Sequence, residues 1–420
     1  MRWLKMLISA ILPTNCGVVL MIINAKDWRR PAFDNDAKVQ SAVAEMLAEI
    51  ERDGNDAITR YSLKFDQCEP KVIALKPFEE YQLDPDLADS IKLAAKRIEA
   101  FASFQKEGLT SKTFSDDYGT FGQVVSPIER VGAYIPGGRY PLISTALMTL
   151  IPAKIAGCPV RVACSPSDNP AILAAASLAG ATEFIRLGGV QAIGALTFGF
   201  DEIEPVNIIV GPGNAWVNEA KKQVQSRVKI DGLAGPSELL AICDGEQPVD
   251  WIALDALAQA EHDPLACSLI VSDDKKWLES LSDFLKSDKE TLTLIDNGQI
   301  ELIFASQPAE LVDFSEGYAP EHLMLCHQKI NAEQLSNYGS LFVGANSAVA
   351  LGDYISGPNH TLPTLGYAKQ SGGLSVSAFL KITTIQNVSD NGRVYLSNAA
   401  QKIADAEGLK FHAKSLQIRT

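Results

Sequence analysis

Residues 131–189 read VGAYIPGGRYPLISTALMTLIPAKIAGCPVRVACSPSDNPAILAAASLAGATEFIRLGG. Short apolar runs at 131–136, 160–166 and 182–189 alternate here with alanine-rich stretches at 144–157 and 170–180. A strand that must return to pair in parallel with its neighbour needs a crossover, and a helix is the usual one, so this texture predicts a parallel sheet with packed helices. A second alternation begins at residue 238, with ELLAICDG, then the helix WIALDALAQAEH at 251–262, the strand SLIVSDD and a further helix over Trp277–Leu285. Two α/β units of similar texture are therefore expected. Ahead of them, Ala37–Tyr61 and Pro85–Phe104 carry apolar residues at three- and four-residue spacing and read as amphipathic helices. Behind them, a glycine-rich turn at Ser371 leads to a strand over Phe379–Val388 and a helical tail ending at Thr420.

The 420 residues exceed what one hydrophobic core usually serves. With 46% hydrophobic and 21% charged residues, the chain has ample material to collapse. A formal charge of −14 leaves no basic field for a phosphate backbone, which argues against nucleic acid as a partner. Seven cysteines without CxxC spacing fit buried thiols in a reducing, cytoplasmic setting better than a disulfide framework or a cysteine-based zinc site. The apolar runs Met6–Leu12 and Gly17–Ile23 are split by Pro-Thr-Asn and are too short to span a bilayer. No membrane association is expected. Residues 1–23 read as an extension, with Met21 as an alternative first residue and a signal peptide as the competing reading.

No G-x-G-x-x-G follows any predicted strand, so a nicotinamide cofactor would have to be held by other loops. Pro136-Gly137-Gly138, Gly188-Gly189 and Gly211-Pro212-Gly213-Asn214 each follow a strand and allow close backbone approach. Each is also, taken alone, an ordinary turn.

All five histidines lie beyond residue 261. Gln259 and His262 are three apart on a predicted helix that Asp263-Pro264 stops, and so share one face near its end. Imidazole nitrogens with a carboxylate and an amide oxygen suit zinc or manganese, although spacing alone equally fits a helix end facing water. Glu321-His322 pairs an acid with an imidazole that can take a proton near neutral pH. The segment Gly352–Thr364 is dense in breakers and hydrogen-bonding groups, and its Asp353 and His360 can converge on a site. His327 reads as a core or simply exposed residue.

The blocks VGAYIPGG, LGGVQAI, GPGNAWVNEAK, AGPSE, QAEHD, APEHL, GDYISGPNHTLPT and EGLKFH together resemble the histidinol dehydrogenase family over roughly residues 25–420. The resemblance implies oxidation of L-histidinol through L-histidinal to L-histidine by a zinc-dependent, NAD-linked homodimer. Gln259, His262, Asp353 and His412 would be the zinc ligands, His412 being donated by the tail of a partner subunit. Glu321 and His322 would be the acid–base pair. Ser237, His360 and Glu407 would contact substrate together with the zinc ligands and His322, and Tyr134, Gln191 and Asn214 would contact NAD.

The implied fold is α/β, with two Rossmann-like parallel-sheet units, one inserted in the other, a helical lead-in and a C-terminal tail. The expected division is 24–130 plus 239–372 as a discontinuous core unit, 131–238 as an inserted NAD-binding unit, and 373–420 as a tail swapped to the partner. One departure stands out. Arg139-Tyr140-Pro141-Leu142 resembles a branch of relatives acting on other hydroxylated compounds such as sulfopropanediol. Readings of another class are a metal-dependent hydrolase and a two-lobed solute-binding module, and release of NADH on histidinol separates them from a dehydrogenase.

Overall fold

The strands that begin at Arg130 and Glu238 each found a sheet of the same order. The structure, a computed structural model, describes residues 20–31, 37–138, 141–232 and 235–420. Most of the N-terminal apolar runs and the Arg139-Tyr140 pair lie outside the described residues. In the first sheet the strands stand in the order Lys71–Val72, Glu183–Arg186, Val160–Ser165, Arg130–Tyr134, Ile208–Val210, Lys229–Ile230. All pairings are parallel except that of the edge strand Lys71–Val72. In the second sheet the order is Ile22–Asn24, Ile300–Phe304, Cys267–Ser272, Glu238–Cys243, His322–Cys326, Ser340–Val343, and every pairing is parallel.

Apart from the edge strand, both sheets are wound 3-2-1-4-5, and each reverses direction beside its own first strand. Such a switch point leaves a crevice at the carboxyl ends of the two strands that part company, which is where open α/β sheets bind ligands. The first sheet lies wholly between the strands Ile22–Asn24 and Glu238–Cys243 of the second, so one unit is inserted in the other.

Strands buried on both faces need helices on both. One face of the first sheet is covered by Ile143–Ala156 and Pro170–Leu178, the other by Gly189–Phe198 and Ala215–Gln223. The lead-in helices extend both covers. Val43, Met46 and Ile50 pack with Tyr134, Ile185 and Ile193, while Ile91 and Ile98 pack with Leu147 and Met148. The apolar faces of these helices match the first sheet, while the N-terminal stretch around Leu20 to Trp28 packs with the second. The predicted helix 37–61 is two helices, Ala37–Asp53 and Asn55–Phe65, parted at Gly54.

A third sheet joins the tail to the body, with Leu380–Val388 pairing antiparallel to Gly119–Pro127, itself paired to Lys112–Asp116. The helices Asp390–Ala406 and Lys410–Gln417 pack on each other, and Tyr395 stacks on Tyr118 with ring centroids 5.2 Å apart. No helix among the described residues is long and apolar enough to cross a membrane.

Candidate active site

The short connector 231–237 carries the chain from the last strand of the first sheet to the first strand of the second. A strand leaves its sheet at its carboxyl end and enters the next at its amino end, so this link sets the carboxyl ends of one sheet against the amino ends of the other. Thr145, in the first turn after strand Arg130–Tyr134, reaches His360 Nε2 at 3.3 Å across that junction.

Glu321 and His322 stand at the amino end of strand His322–Cys326, 6% and 3% exposed. They hang from one residue. The Glu238 N–H donates to Glu321 Oε2 at 2.8 Å, and His322 Nδ1 lies 3.2 Å from the Glu238 carbonyl. A carbonyl can only accept, so Nδ1 carries the hydrogen and a neutral ring keeps its lone pair on Nε2. That atom faces Asp353 Oδ1 at 3.8 Å. Burial pulls the imidazole pKa down, but the charge and hydrogen bond of Glu321, the charge of Asp353 and the Glu238 carbonyl outweigh it and raise the pKa to about 9. Burial keeps His360 below the usual histidine value although Asp353 opposes it; its Nδ1 lies 2.8 Å from the Asp353 carbonyl.

The helix of Gln259 ends at Ala260, two residues earlier than its pattern suggests, just ahead of Asp263-Pro264. Gln259 is thus buried at 3% exposure while His262 is exposed in the turn beyond, and the two do not share a helix face. One amide atom of Gln259 is buried without a partner, and since amide oxygen and nitrogen exchange by a flip, that position can present the oxygen. The helix Val349–Tyr354 packs on the helix of Gln259 and brings Asp353 to this side. His412 and Glu407 lie exposed on the tail, and among the described residues no three His, Cys, Asp or Glu side chains lie close enough to hold a metal. Gln259, His262 and Asp353 supply an orphaned amide, an exposed imidazole and a carboxylate, donor types that suit zinc but that are too few in one chain to close a site.

At the first sheet's switch point, Tyr134 ends one strand and Gly211 follows the other. A Cβ on Gly211, whose φ is +112°, would stand 2.1 Å from the Tyr134 carbonyl oxygen, so only glycine fits. The buried Lys221–Asp231 pair holds this glycine from both ends, Lys221 Nζ on its carbonyl and Asp231 Oδ2 on its N–H. Tyr134 is buried and its hydroxyl accepts the Gly189 N–H, while Gln191 is buried and donates to Asp66. Asn214 is exposed and caps the helix Ala215–Gln223, whose positive end opens on the crevice. A nicotinamide cofactor fits this cradle of tight backbone and helix end. Ser237 is half-buried beside Glu238.

Sequence reasoning gave no role to Arg30, Asp66, Lys221, Asp231 or Glu238. Glu238 did carry a signal, since a carboxylate opening an otherwise apolar, fully buried strand needs a partner. His327 is buried, its Nε2 3.4 Å from Asp273, at the far end of its strand from the site.

Two doubly wound units, with an acid–imidazole pair where the carboxyl ends of one meet the amino ends of the other, make an α/β enzyme of the dehydrogenase class. The chain belongs to the histidinol dehydrogenase family, whose sequence model matches residues 29–420. It is 39% identical over 416 residues to histidinol dehydrogenase of Thermus thermophilus, covering 95% of this chain and 100% of that one. Against the enzyme of Methanosarcina mazei it is 38% identical over 399 residues, with 91% and 92% covered. The crystal structure of histidinol dehydrogenase from Elizabethkingia anophelis superposes with a TM-score of 0.85 at 34% identity, covering 93% of this chain and 94% of that one.

Proposed function

We propose that this enzyme oxidises L-histidinol to L-histidine in two NAD-dependent steps, through L-histidinal. The observation that carries the reading is the buried Glu321-His322 pair, both members held by one main-chain residue at the junction of the two units. With Nδ1 engaged, His322 receives the substrate hydroxyl proton at Nε2 as hydride leaves the carbinol carbon. Glu321 then takes a proton from water, which adds to the aldehyde, and a second hydride leaves the hydrate. Burial of both groups keeps bulk water from the reacting carbon. Tyr134, Gln191 and Asn214 line the cofactor's place, and Ser237, His360 and Glu407 orient substrate. This assigns cofactor binding to the inserted unit within 131–238 and the acid–base pair to the second unit.

Gln259, His262, Asp353 and the His412 of a second copy would hold zinc. The ion would supply a fixed positive anchor for the imidazole and amine of the substrate. Bound at Asp353, it would also offset one of the charges that raise the His322 pKa. A swapped homodimer is supported by the incomplete ligand set of one chain and by the apolar surface of the tail, where Phe411 and Ile418 are 84% and 80% exposed. A cytoplasmic location goes with the thiol state of the six described cysteines.

The test is NADH absorbance with histidinol, histidinal and sulfopropanediol. The reading requires two NADH per histidinol and one per histidinal. NADH from sulfopropanediol alone would move the chain to the branch that its Arg139-Tyr140-Pro141-Leu142 loop resembles.

A further inference from the structure

Glu238 holds the acid–base pair with its main chain, and its own position is fixed by a side-chain network reaching back to the N-terminal segment. The Glu238 side chain is buried, with Oε1 on Arg30 Nη1 at 2.5 Å and Oε2 without a partner. Arg30 Nη2 donates to the Tyr318 carbonyl, and the guanidinium carbon lies over the Tyr318 ring, 3.8 Å from its centroid. Trp28 packs edge-on against the same ring at 5.5 Å. After Tyr318 the chain passes through Ala319, held at φ +52°, and Pro320 to reach Glu321. One planar fork thus ties the residue that carries both catalytic groups to the turn that delivers them.

We propose that Arg30 is a positioning residue for Glu321 and His322, acting through Glu238 and the Tyr318 carbonyl. This rests on the reading of Glu321 and His322 as the acid–base pair. Two arguments favour positioning over stability. An ion pair whose carboxylate is buried gains little stability once desolvation is counted, so holding geometry is the larger part it can play. A non-glycine residue with positive φ stores strain that persists only where surrounding contacts over-determine it, and the Arg30 fork on the Tyr318 carbonyl grips this turn from one side as the Gly339 N–H on the Pro320 carbonyl does from the other. Consistently, burial pushes the Glu238 carboxyl up to about 7 despite the Arg30 charge, with Glu321 pushing the same way. The arginine therefore offsets the charge of a buried carboxylate that Glu321 also disfavours.

The test uses the zinc-loaded dimer with Arg30→Lys, Arg30→Met, Arg30→Gly and the double variant Arg30→Met/Glu238→Gln. Lysine keeps the charge but cannot span both oxygens. We expect kcat for histidinol to fall on the order of ten- to a hundredfold in each, as for groups misplaced by about an ångström, with KM within about twofold. Guanidinium ion at millimolar concentration should restore part of kcat in Arg30→Gly. In 15N-histidine-labelled protein, with the signal assigned through His322→Asn, the Nδ1–H of His322 should exchange at least about tenfold faster in Arg30→Met, since its acceptor is no longer held. The double variant separates positioning from charge burial: positioning predicts recovered thermal stability with kcat still low. Recovery of both, or unchanged kcat in folded Arg30→Met, overturns the proposal. If the wild type makes no NADH from histidinol, the substrate reading fails, and the exchange rate alone decides: faster supports the clamp, unchanged refutes it.

Discussion

The two sheets share one winding order and use opposite ends. In the first, the switch-point crevice is open, bordered by Gly211, whose backbone nearly touches Tyr134, and by the exposed Asn214. In the second, the same crevice is sealed by side chains. Asp244, just past strand Glu238–Cys243, accepts the Gln328 N–H from the neighbouring strand's end and the Glu246 N–H, while His327 pairs with Asp273. The acid–imidazole pair of that sheet sits at its amino ends, where Glu238 holds Glu321 and His322. Winding order makes a crevice available; the residues that follow the strands decide whether it is occupied from outside or filled from within.

The sharpest way to break this contrast uses two histidines at opposite ends of one strand. His322→Asn should lower kcat at least about a hundredfold, whereas His327→Asn should leave kcat within about twofold. Equal losses in NADH production would mean that both ends of the second sheet serve catalysis. Next in size are the glycines of the two switch points. Gly211→Ala should cost about 3 kcal/mol in urea unfolding, because its Cβ meets backbone that cannot yield. Gly245→Ala, with φ +89° and a Cβ 3.0 Å from Asp274 Cβ, should cost about half as much, since its contacts are no closer than 3.0 Å where those of Gly211 reach 2.1 Å.

Removing the seal comes third. Asp244→Ala should cost about 2 kcal/mol for its lost charged hydrogen bonds without changing kcat. Burial opposes ionisation of Asp244, yet the Gln328 N–H, the Gln247 amide, the Glu246 N–H and His327 together hold its pKa below the usual carboxylate value. A depressed folded pKa gives stability that is fully present above the unfolded value, about 4, and is lost as pH falls through the folded one. The stability gap between wild type and Asp244→Asn should therefore close below about pH 4 and stay constant above it; a gap that persists in acid would assign the seal to packing. The smallest effect concerns Asn214. Asn214→Asp keeps the helix cap and should hold stability within about 0.5 kcal/mol, while Asn214→Ala loses about 1 kcal/mol in thermal unfolding. If the amide contacts cofactor, both should raise the KM for NAD, and an unchanged KM would leave Asn214 as a cap alone.

Much of this contrast was legible in the sequence, for reasons that can be named. Long apolar strands between alanine-rich helices at 131–189 and 238–285 announce parallel sheets through periodicity, a local property. Strand order is not local, and neither the two-residue edge Lys71–Val72 nor the fully exposed strand Lys112–Asp116 has enough apolar pattern to show itself. Family motifs carried Glu321 and His322 to one place, but the residue that holds them does so through its peptide group, which any sequence would supply. Arg30 is out of reach of pattern for a different reason: 208 residues separate it from Glu238. The stop at Asp263-Pro264 was legible, but the helix ends at Ala260, two residues before His262, so that Gln259 and His262 part company at the boundary.

The insertion that produces two sheets also sets an order of events in time. Strand Ile22–Asn24 belongs beside Ile300–Phe304, and the Trp28 indole bonds Glu301 across 273 residues of intervening chain. The earliest-made strand therefore has no partner until synthesis has passed residue 304, while the inserted sheet between them can close on itself. Closure over so long a span is slow to find by diffusion of a loose chain, and a prefolded insert shortens the search by bringing its own two ends together. Arg30 lies just beyond that first strand. The clamp on Glu238 and Tyr318 thus forms only after residue 318 has been made, and a nascent chain would hold His322 in register only once residue 30 has met residues 238 and 318.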